Sequence, residues 1–365
     1  MRLLCLVVAL LGGEISAPAQ DLGELIGKAL SGDTSAQNSL GERYRIGIGV
    51  PRDPAQALRF YKLAAAQGSA QAQYALAEIY RFGEAGTPNY AEAARLYLLA
   101  ASQGLAEAEF ALGVLYDNGD GVEHDYQQAA RWYRIAAEKG MADAEYNLGV
   151  MYANGKGLSQ DYAEAARWYM RAADHRDLPE AEYNLAVLYD EGRGVSQDYT
   201  QAAHFYRKAA DQNHPEAQFN LGLLYLNGQG VSQDESQAAQ WFRKAAEQGQ
   251  SQAEYNLGVL LTKPEAALAA VKEGARWFRL AAEQGHLDAA FNLSAMYLNG
   301  RGLDHDLVQA QRWMIIASRQ GDQESLRAKQ RIEQRMSPHE TQEAEHLASS
   351  WKPCTSKAEC ETRLK

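Results

Sequence analysis

The sequence predicts an all-α solenoid of eight stacked helix pairs, and three observations predict it. Leu recurs at positions 40, 76, 112, 148, 185, 221, 257 and 293, every 36 residues with one step of 37. Ala stands four residues before each, from Ala36 to Ala289. Tyr stands four residues after in seven copies (Tyr44, Tyr80, Tyr116, Tyr152, Tyr189, Tyr225, Tyr297), with Leu261 in the other. A fixed period of this length marks a repeat architecture, in which no helix pair buries its apolar face until neighbours stack on it.

The chain opens with Met1-Arg2, nine apolar residues (Leu3 to Leu11) and the A-x-A pattern Ala17-Pro18-Ala19. This reads as a secretory signal peptide, residues 1–19. Nine apolar residues are too few to span a bilayer, so no membrane insertion is expected after cleavage. The alternative is an uncleaved apolar N-terminus. Residues 20–32 hold an amphipathic stub (Leu22, Leu25, Ile26, Ala29, Leu30), expected to cap the stack.

Eight repeats fill 33–321. In each, the first helix runs from about the Ala to just past the Tyr, placing Ala, Leu and Tyr on one stripe. A small residue follows the Leu: Gly41, Ala77, Gly113, Gly149, Ala186, Gly222, Gly258, Ser294. Gly costs about 1 kcal/mol inside a helix, so it is expected where a neighbour approaches too closely for a side chain. A glycine pair then breaks the chain (Gly119/Gly121, Gly155/Gly157, Gly192/Gly194, Gly228/Gly230, Gly300/Gly302). Without a third Gly and a preceding strand, these triplets do not make a nucleotide loop.

The second helix begins at an acceptor with Gln or Glu three residues on: Asp53, Asn89, Asp125, Asp161, Asp198, Asp234, Asp306. The pattern is similar to a capping box, so these carboxylates are read as helix caps and not as catalytic pairs. An aromatic stripe follows (Trp132-Tyr133, Trp168-Tyr169, Phe205-Tyr206, Trp241-Phe242, Trp277-Phe278), then an Ala pair and commonly a stopping Gly.

Two copies depart. The fourth ends in Arg176-Asp177, one residue longer. The seventh lacks the glycine loop, and Pro264 is expected to start an early second helix. Drift in one connector and a partner-specific edge are both open readings there. Beyond Gly321, residues 322–351 read as capping helices, one over about 323–335 and one begun by Ser337-Pro338-His339-Glu340. Residues 352–365 read as a polar tail. Its Cys354 and Cys360 either close a small disulfide loop in an oxidising compartment, stabilising little beyond the tail, or stay free thiols.

Composition agrees. The 365 residues include 36 Lys+Arg and 47 Asp+Glu, a net charge of −11, which argues against a nucleic-acid partner. Tyr numbers 20 against Phe 8 and Gly 31 against Pro 9, a skew explained by one pattern copied eight times.

The run Ala144-Glu145-Tyr146-Asn147-Leu148-Gly149 through Tyr152, Gly155 and Gly157, then Asp161, Ala165, Trp168-Tyr169 and Ala172-Ala173, resembles the Sel1-like repeat, a relative of the tetratricopeptide repeat. The resemblance implies a right-handed α-solenoid with a concave groove lined by the first helices. It implies a binding scaffold, with relatives in bacterial envelopes that regulate membrane sensors, assist polysaccharide assembly or meet a host. A cysteine-rich group of such proteins is associated with β-lactam hydrolysis, which makes a β-lactam or cell-wall hydrolase the alternative. Its hallmark is a disulfide within each repeat, and no repeat here contains Cys.

The residues themselves offer little chemistry. The eight His are scattered and none forms HExxH, so no metal site is expected. Ser349-Ser350-Trp351-Lys352 matches S-x-x-K without the companion motifs. No catalytic residue and no cofactor is expected. The expected site is a face on the first helices: Tyr146-Asn147, Tyr183-Asn184, Phe219-Asn220 and Tyr255-Asn256. Aromatics offer stiff contact area, and an Asn ladder can hydrogen-bond an extended backbone. The aromatics could equally pack the core, and the Asn could tie neighbouring repeats. The expectation is a monomer, periplasmic or secreted, that binds a protein or peptide.

Overall fold

A computed structural model describes residues 22–363 except Ala85, and only the backbone of Gln320. The signal-peptide reading (1–19) lies outside the described residues, as do the first two residues of the N-terminal cap. By its internal contacts the chain divides into two compact units, Met1–Asp161 and Tyr162–Lys365.

In the first unit, α1 (Leu22–Leu30) precedes three and a half repeats: α2 (Thr34–Ile46), α3 (Pro54–Ala66), α4 (Ala70–Phe82), α5 (Tyr90–Ala101), α6 (Ala106–Asn118), α7 (Tyr126–Glu138) and α8 (Ala142–Asn154). The second unit continues with α9 (Tyr162–His175), α10 (Pro179–Glu191), α11 (Tyr199–Asp211), α12 (Pro215–Asn227), α13 (Glu235–Glu247), α14 (Ser251–Leu261), α15 (Leu268–Glu283), α16 (Leu287–Asn299) and α17 (Leu307–Ala317). It closes with α18 (Gln323–Glu333), α19 (Pro338–Ser350) and α20 (Lys357–Arg363). Within each unit every repeat helix packs on its chain neighbours, the stacking that the 36-residue period demands.

The anchor Ala and Leu are buried in every copy. Burying each Leu contributes about 1.5–3 kcal/mol relative to exposure. The small residue after the Leu has a specific neighbour. A Cβ on Gly41, Gly113, Gly222 or Gly258 would lie 2.5–2.8 Å from the ring of Tyr61, Tyr133, Phe242 or Phe278. The second helix thus lays an aromatic ring directly on the first helix's backbone. Ser294 uses the same position to donate to the Ala310 carbonyl at 2.6 Å.

The two loop glycines have different tasks. The first ends the helix in the left-handed region, as at Gly228 with φ 69°. The second, such as Gly230 with φ 68°, leaves no room for a Cβ because the backbone of Tyr199 and Thr200, from the preceding repeat, lies against it. The Asp residues are caps: Asp125 Oδ1 accepts the Gln127 and Gln128 amides at 2.8 and 3.1 Å, and Asp53, Asp198 and Asp234 do the same. These caps work through the forward bond. Both arms of a capping box are made at Ser337 and Glu340.

Three features differ from the sequence reading or sharpen it. The extra residue of the fourth copy lengthens α9 to 14 residues. In the seventh copy Pro264 does not start a helix. It sits in a turn closed by the Ala266 amide on the Lys263 carbonyl, and α15 begins at Leu268. The reason is that Thr262, bonded through Oγ1 to the Gly258 carbonyl at 2.8 Å, ends α14 early, and Arg301 then ties the Thr262 and Lys263 carbonyls.

The third difference is the C-terminus. Residues 352–363 do not trail as a polar tail; they fold back onto α13 and α15. The structure bonds Cys354 to Cys360, with Cα atoms 5.6 Å apart, and both are buried beside Trp277 and Leu280. Lys357 Nζ donates to the Ala246 and Glu247 carbonyls at 3.2 and 2.6 Å, at the end of α13. The Cys354 amide donates to the Glu283 carbonyl at 2.8 Å. The disulfide therefore works as an apolar plug, and flanking donors satisfy helix-end carbonyls.

Candidate protein-binding face

The first helices carry an aromatic at one position of each repeat: Tyr74, Phe110 and Tyr146 in the first unit, and Tyr183, Phe219, Tyr255 and Phe291 in the second, all half-buried. In five of these copies one side of the ring leans on the second-helix aromatic of its own repeat. Centroids are 5.7–5.9 Å apart for Tyr74–Tyr97, Phe110–Tyr133, Tyr183–Tyr206, Phe219–Phe242 and Tyr255–Phe278. These tilted pairs are worth roughly 0.5–1.5 kcal/mol each beyond area burial. In two copies a second ring covers the row: His214 stacks on Tyr183 at 4.6 Å and His286 on Tyr255 at 4.5 Å.

Those histidines also cap helices, His214 Nδ1 accepting from Ala217 N and His286 Nδ1 from Ala289 N, both at 3.3 Å. Burial holds both imidazoles below their usual pKa, so they are neutral and able to accept at neutral pH. The same desolvation pushes the Tyr183 and Tyr255 phenols up.

The Asn residues beside the row tie repeats together where their partners are resolved. Asn220 Nδ2 donates to the Tyr206 hydroxyl at 3.0 Å and also meets Tyr183, both of the preceding repeat. Asn147 meets Tyr133, and Asn292 meets Tyr255. Asn184 and Asn256 occupy the same register and are half-buried. The structure thus brings Tyr183, Phe219, Asn220 and Tyr255 into one packed row of the second unit. Tyr146 and Asn147 hold the equivalent place on α8.

A polar column went unread in the sequence. Directly after the anchor Ala stand Gln37, Gln73, Glu109, Glu145, Glu182, Gln218 and Glu254, all buried. Thirty residues on, the end of the same repeat reaches back. Gln67, Gln103, Gln212, Gln248 and Gln284 donate to this residue at 2.7–2.8 Å, and Lys139 does so at 2.5 Å. Gln37 and Gln218 add a bond to the preceding helix, at the carbonyls of Ala29 and Ala210. The signal was available: these residues share the 36-residue period, but polar columns are commonly solvated and draw no notice.

The candidate chemistry of the C-terminus does not assemble. Ser349 is exposed at the end of α19, and its hydroxyl donates to the His346 carbonyl at 2.9 Å. His339 and His346 are exposed on that helix. Among the described residues no group of His, Cys, Asp or Glu is arranged to hold a metal ion.

The decisive comparison is with the Sel1 repeat, whose sequence profile matches residues 34–69, 70–105, 106–141, 142–177, 179–214, 215–250, 251–286 and 287–322. The chain belongs to the Sel1 repeat family. Its fold is that family's all-α solenoid, a fold of protein interaction. Among solved structures it is similar to a protective antigen of uropathogenic Escherichia coli strains displaying this fold, at 29% identity and TM-score 0.64, covering 93% of this chain and 88% of that one. It is likewise similar to a Sel1 repeat protein from Oxalobacter formigenes, at 29% identity and TM-score 0.63, covering 86% and 90%. No curated protein matches it. Among the described residues of this Sel1 repeat chain, no helix is long and apolar enough to cross a membrane.

Proposed function

We propose that this Sel1 repeat protein is an exported scaffold of the cell envelope that binds a protein or peptide on its first-helix face and performs no catalysis of its own. The observation that carries the reading is the half-buried aromatic row of the second unit, Tyr183, Phe219 and Tyr255, each ring braced from behind by a second-helix aromatic, with Tyr146 at the equivalent position on α8 of the first unit. Rings held stiff in this way lose little entropy when a partner lands on them.

The apolar run and A-x-A pattern of residues 1–19 support export to the periplasm or beyond. A disulfide in the C-terminal segment fits an oxidising compartment. The Escherichia coli relative's description as a protective antigen is in keeping with such a location. Within that setting the partner is a component of a membrane sensor, a polysaccharide assembly or a host surface. The non-enzymatic part rests on the place of Ser349, whose hydroxyl is engaged with its own helix, and on repeats that carry no Cys. A chromogenic β-lactam assay on the purified chain tests it: no turnover is expected, and turnover abolished by Ser349→Ala would overturn it.

A further inference from the structure

One position of the repeat changes character along the chain. The thirtieth residue of each matched repeat, near the end of the second helix, reads Leu63, Leu99, Ile135, Arg171, Lys208, Lys244, Leu280, Ile316. Two of the aliphatic copies are covered by another part of the chain. Leu280 is 0% exposed beneath the Cys354–Cys360 segment and α20. Ile316 is 0% exposed within the cluster that α19 completes through Ala348 and Trp351. In the middle copies the residue is a Lys or Arg that reaches water: Lys244 is exposed, and Arg171 and Lys208 are half-exposed. In the second unit the residue type at this position therefore follows whether a further layer sits there.

The first unit breaks that relation. Leu63 is 41% exposed, Leu99 is 39% exposed and its neighbour Leu98 is 50% exposed. Ile135 is half-exposed and lines a shallow depression with Arg131, Arg134, Glu138 and Leu158. No described residue covers this row. The helices that carry it are basic, although the chain as a whole carries −11. On α3, α5 and α7, Arg59, Lys62, Arg95, Arg131 and Arg134 stand against Glu92 and Glu138. An apolar row flanked by excess positive charge fits an apolar stripe flanked by negative charge.

We propose that Leu63, Leu98, Leu99 and Ile135 form a docking surface for an amphipathic helix of a partner protein, apolar on one face and acidic along its edges. The shape follows from the two layers that cover the same position elsewhere in this chain, since α19 and α20 are both short helices. The surface lies on the second helices, so it is separate from the first-helix row, and its failure leaves the reading of that row untouched.

The test uses residues 20–365 and a fluorescein-labelled 15-residue helix with Leu on one face and Glu on both flanks. A twin peptide carries Lys for Glu. The comparison variant is Leu63→Lys/Leu99→Lys/Ile135→Arg, which installs residue types that the middle repeats already carry at this position. The wild type is expected to bind the acidic peptide at least ten-fold more tightly than the basic twin, and at least ten-fold more tightly than the variant does. Hydrogen exchange on the wild type should slow at the ends of α3 and α5 when the acidic peptide is added. That footprint decides the question even if the variant folds poorly. Equal binding by wild type and variant, no binding by the wild type, or a footprint elsewhere overturns the proposal. So does self-association of the wild type through this face, seen by sedimentation and lost in the variant, because the occupant is then a second copy.

Discussion

Gln284 donates to Glu254 at 2.7 Å across thirty residues of sequence, and the carboxyl it meets is buried in the second unit. The other carboxyl oxygen, Glu254 Oε1, has no hydrogen-bond partner among the described residues. Gln218 occupies the equivalent place one repeat earlier and donates to the Ala210 carbonyl, a bond a carboxylate cannot make. Burial accordingly pushes the Glu254 carboxyl up to about 8, opposed by nearby Lys357 and the Gln284 bond.

Stability of the second unit should therefore depend on pH through Glu254. The folded pKa lies above the ordinary 4.5, so the contribution is fully present below 4.5 and is lost as pH rises through about 8. Glu254→Gln, which copies the chain's own solution at Gln73 and Gln218, should stabilise the protein by about 1–3 kcal/mol at pH 8.5 and by much less at pH 4.5. Thermal melts of both proteins at the two pH values check this. An equal shift at both would show that Glu254 does not titrate in this range.

The C-terminal segment should be a structural part of the second unit. Glu283, exposed in its counterparts Glu247, Asp211 and Glu138, is buried here. It accepts from Trp351 Nε1 at 2.9 Å and pairs with Arg363 and Arg312 at 3.3 and 3.5 Å. Glu283→Ala leaves the Trp351 indole without its acceptor and takes one partner from Arg312 and from Arg363, which keep Gln309 and Glu359, and should cost about 1–3 kcal/mol. Hydrogen exchange should quicken at the Cys354 amide. Unchanged exchange there would show that the segment is held by other contacts.

The ring-on-backbone contact makes a graded prediction. Ala77 and Ala186 stand where Gly222 does, so Gly222→Ala should need only a small shift of the Phe242 ring. Gly222→Val places two more methyl groups against it and should cost about 1–3 kcal/mol by overpacking. Chemical denaturation measures both, and equal costs would contradict the tight contact.

Much of the architecture was readable in residue order because the repeat is local. Ala144, Leu148 and Tyr152 lie within three turns, and Asp125 caps a helix that starts at the next residue. The glycine that each ring presses on was visible as a cost without a local reason. What escaped reading depends on distance along the chain. Cys354 packs on Trp277, and Lys357 caps Ala246, about 80 and 110 residues back, with no periodic signal to announce either. Pro264 misled because its fit to a helix start is a local rule, whereas Thr262 and Arg301 set the turn. At the candidate site the aromatic positions were legible. Their bracing by His214 and His286, and the ties from Asn220 and Asn292 to the preceding repeat, needed the stacked neighbours to be seen.

The central claim is that the first-helix row binds the partner, and capture from envelope extract tests it most directly. The wild type is compared with Tyr183→Ala/Tyr255→Ala and with Leu63→Lys/Leu99→Lys, each first shown by circular dichroism to keep its helix content. The wild type and the Leu63/Leu99 variant are expected to retain a common protein that the Tyr183/Tyr255 variant loses. Equal recovery of that protein by all three would contradict it.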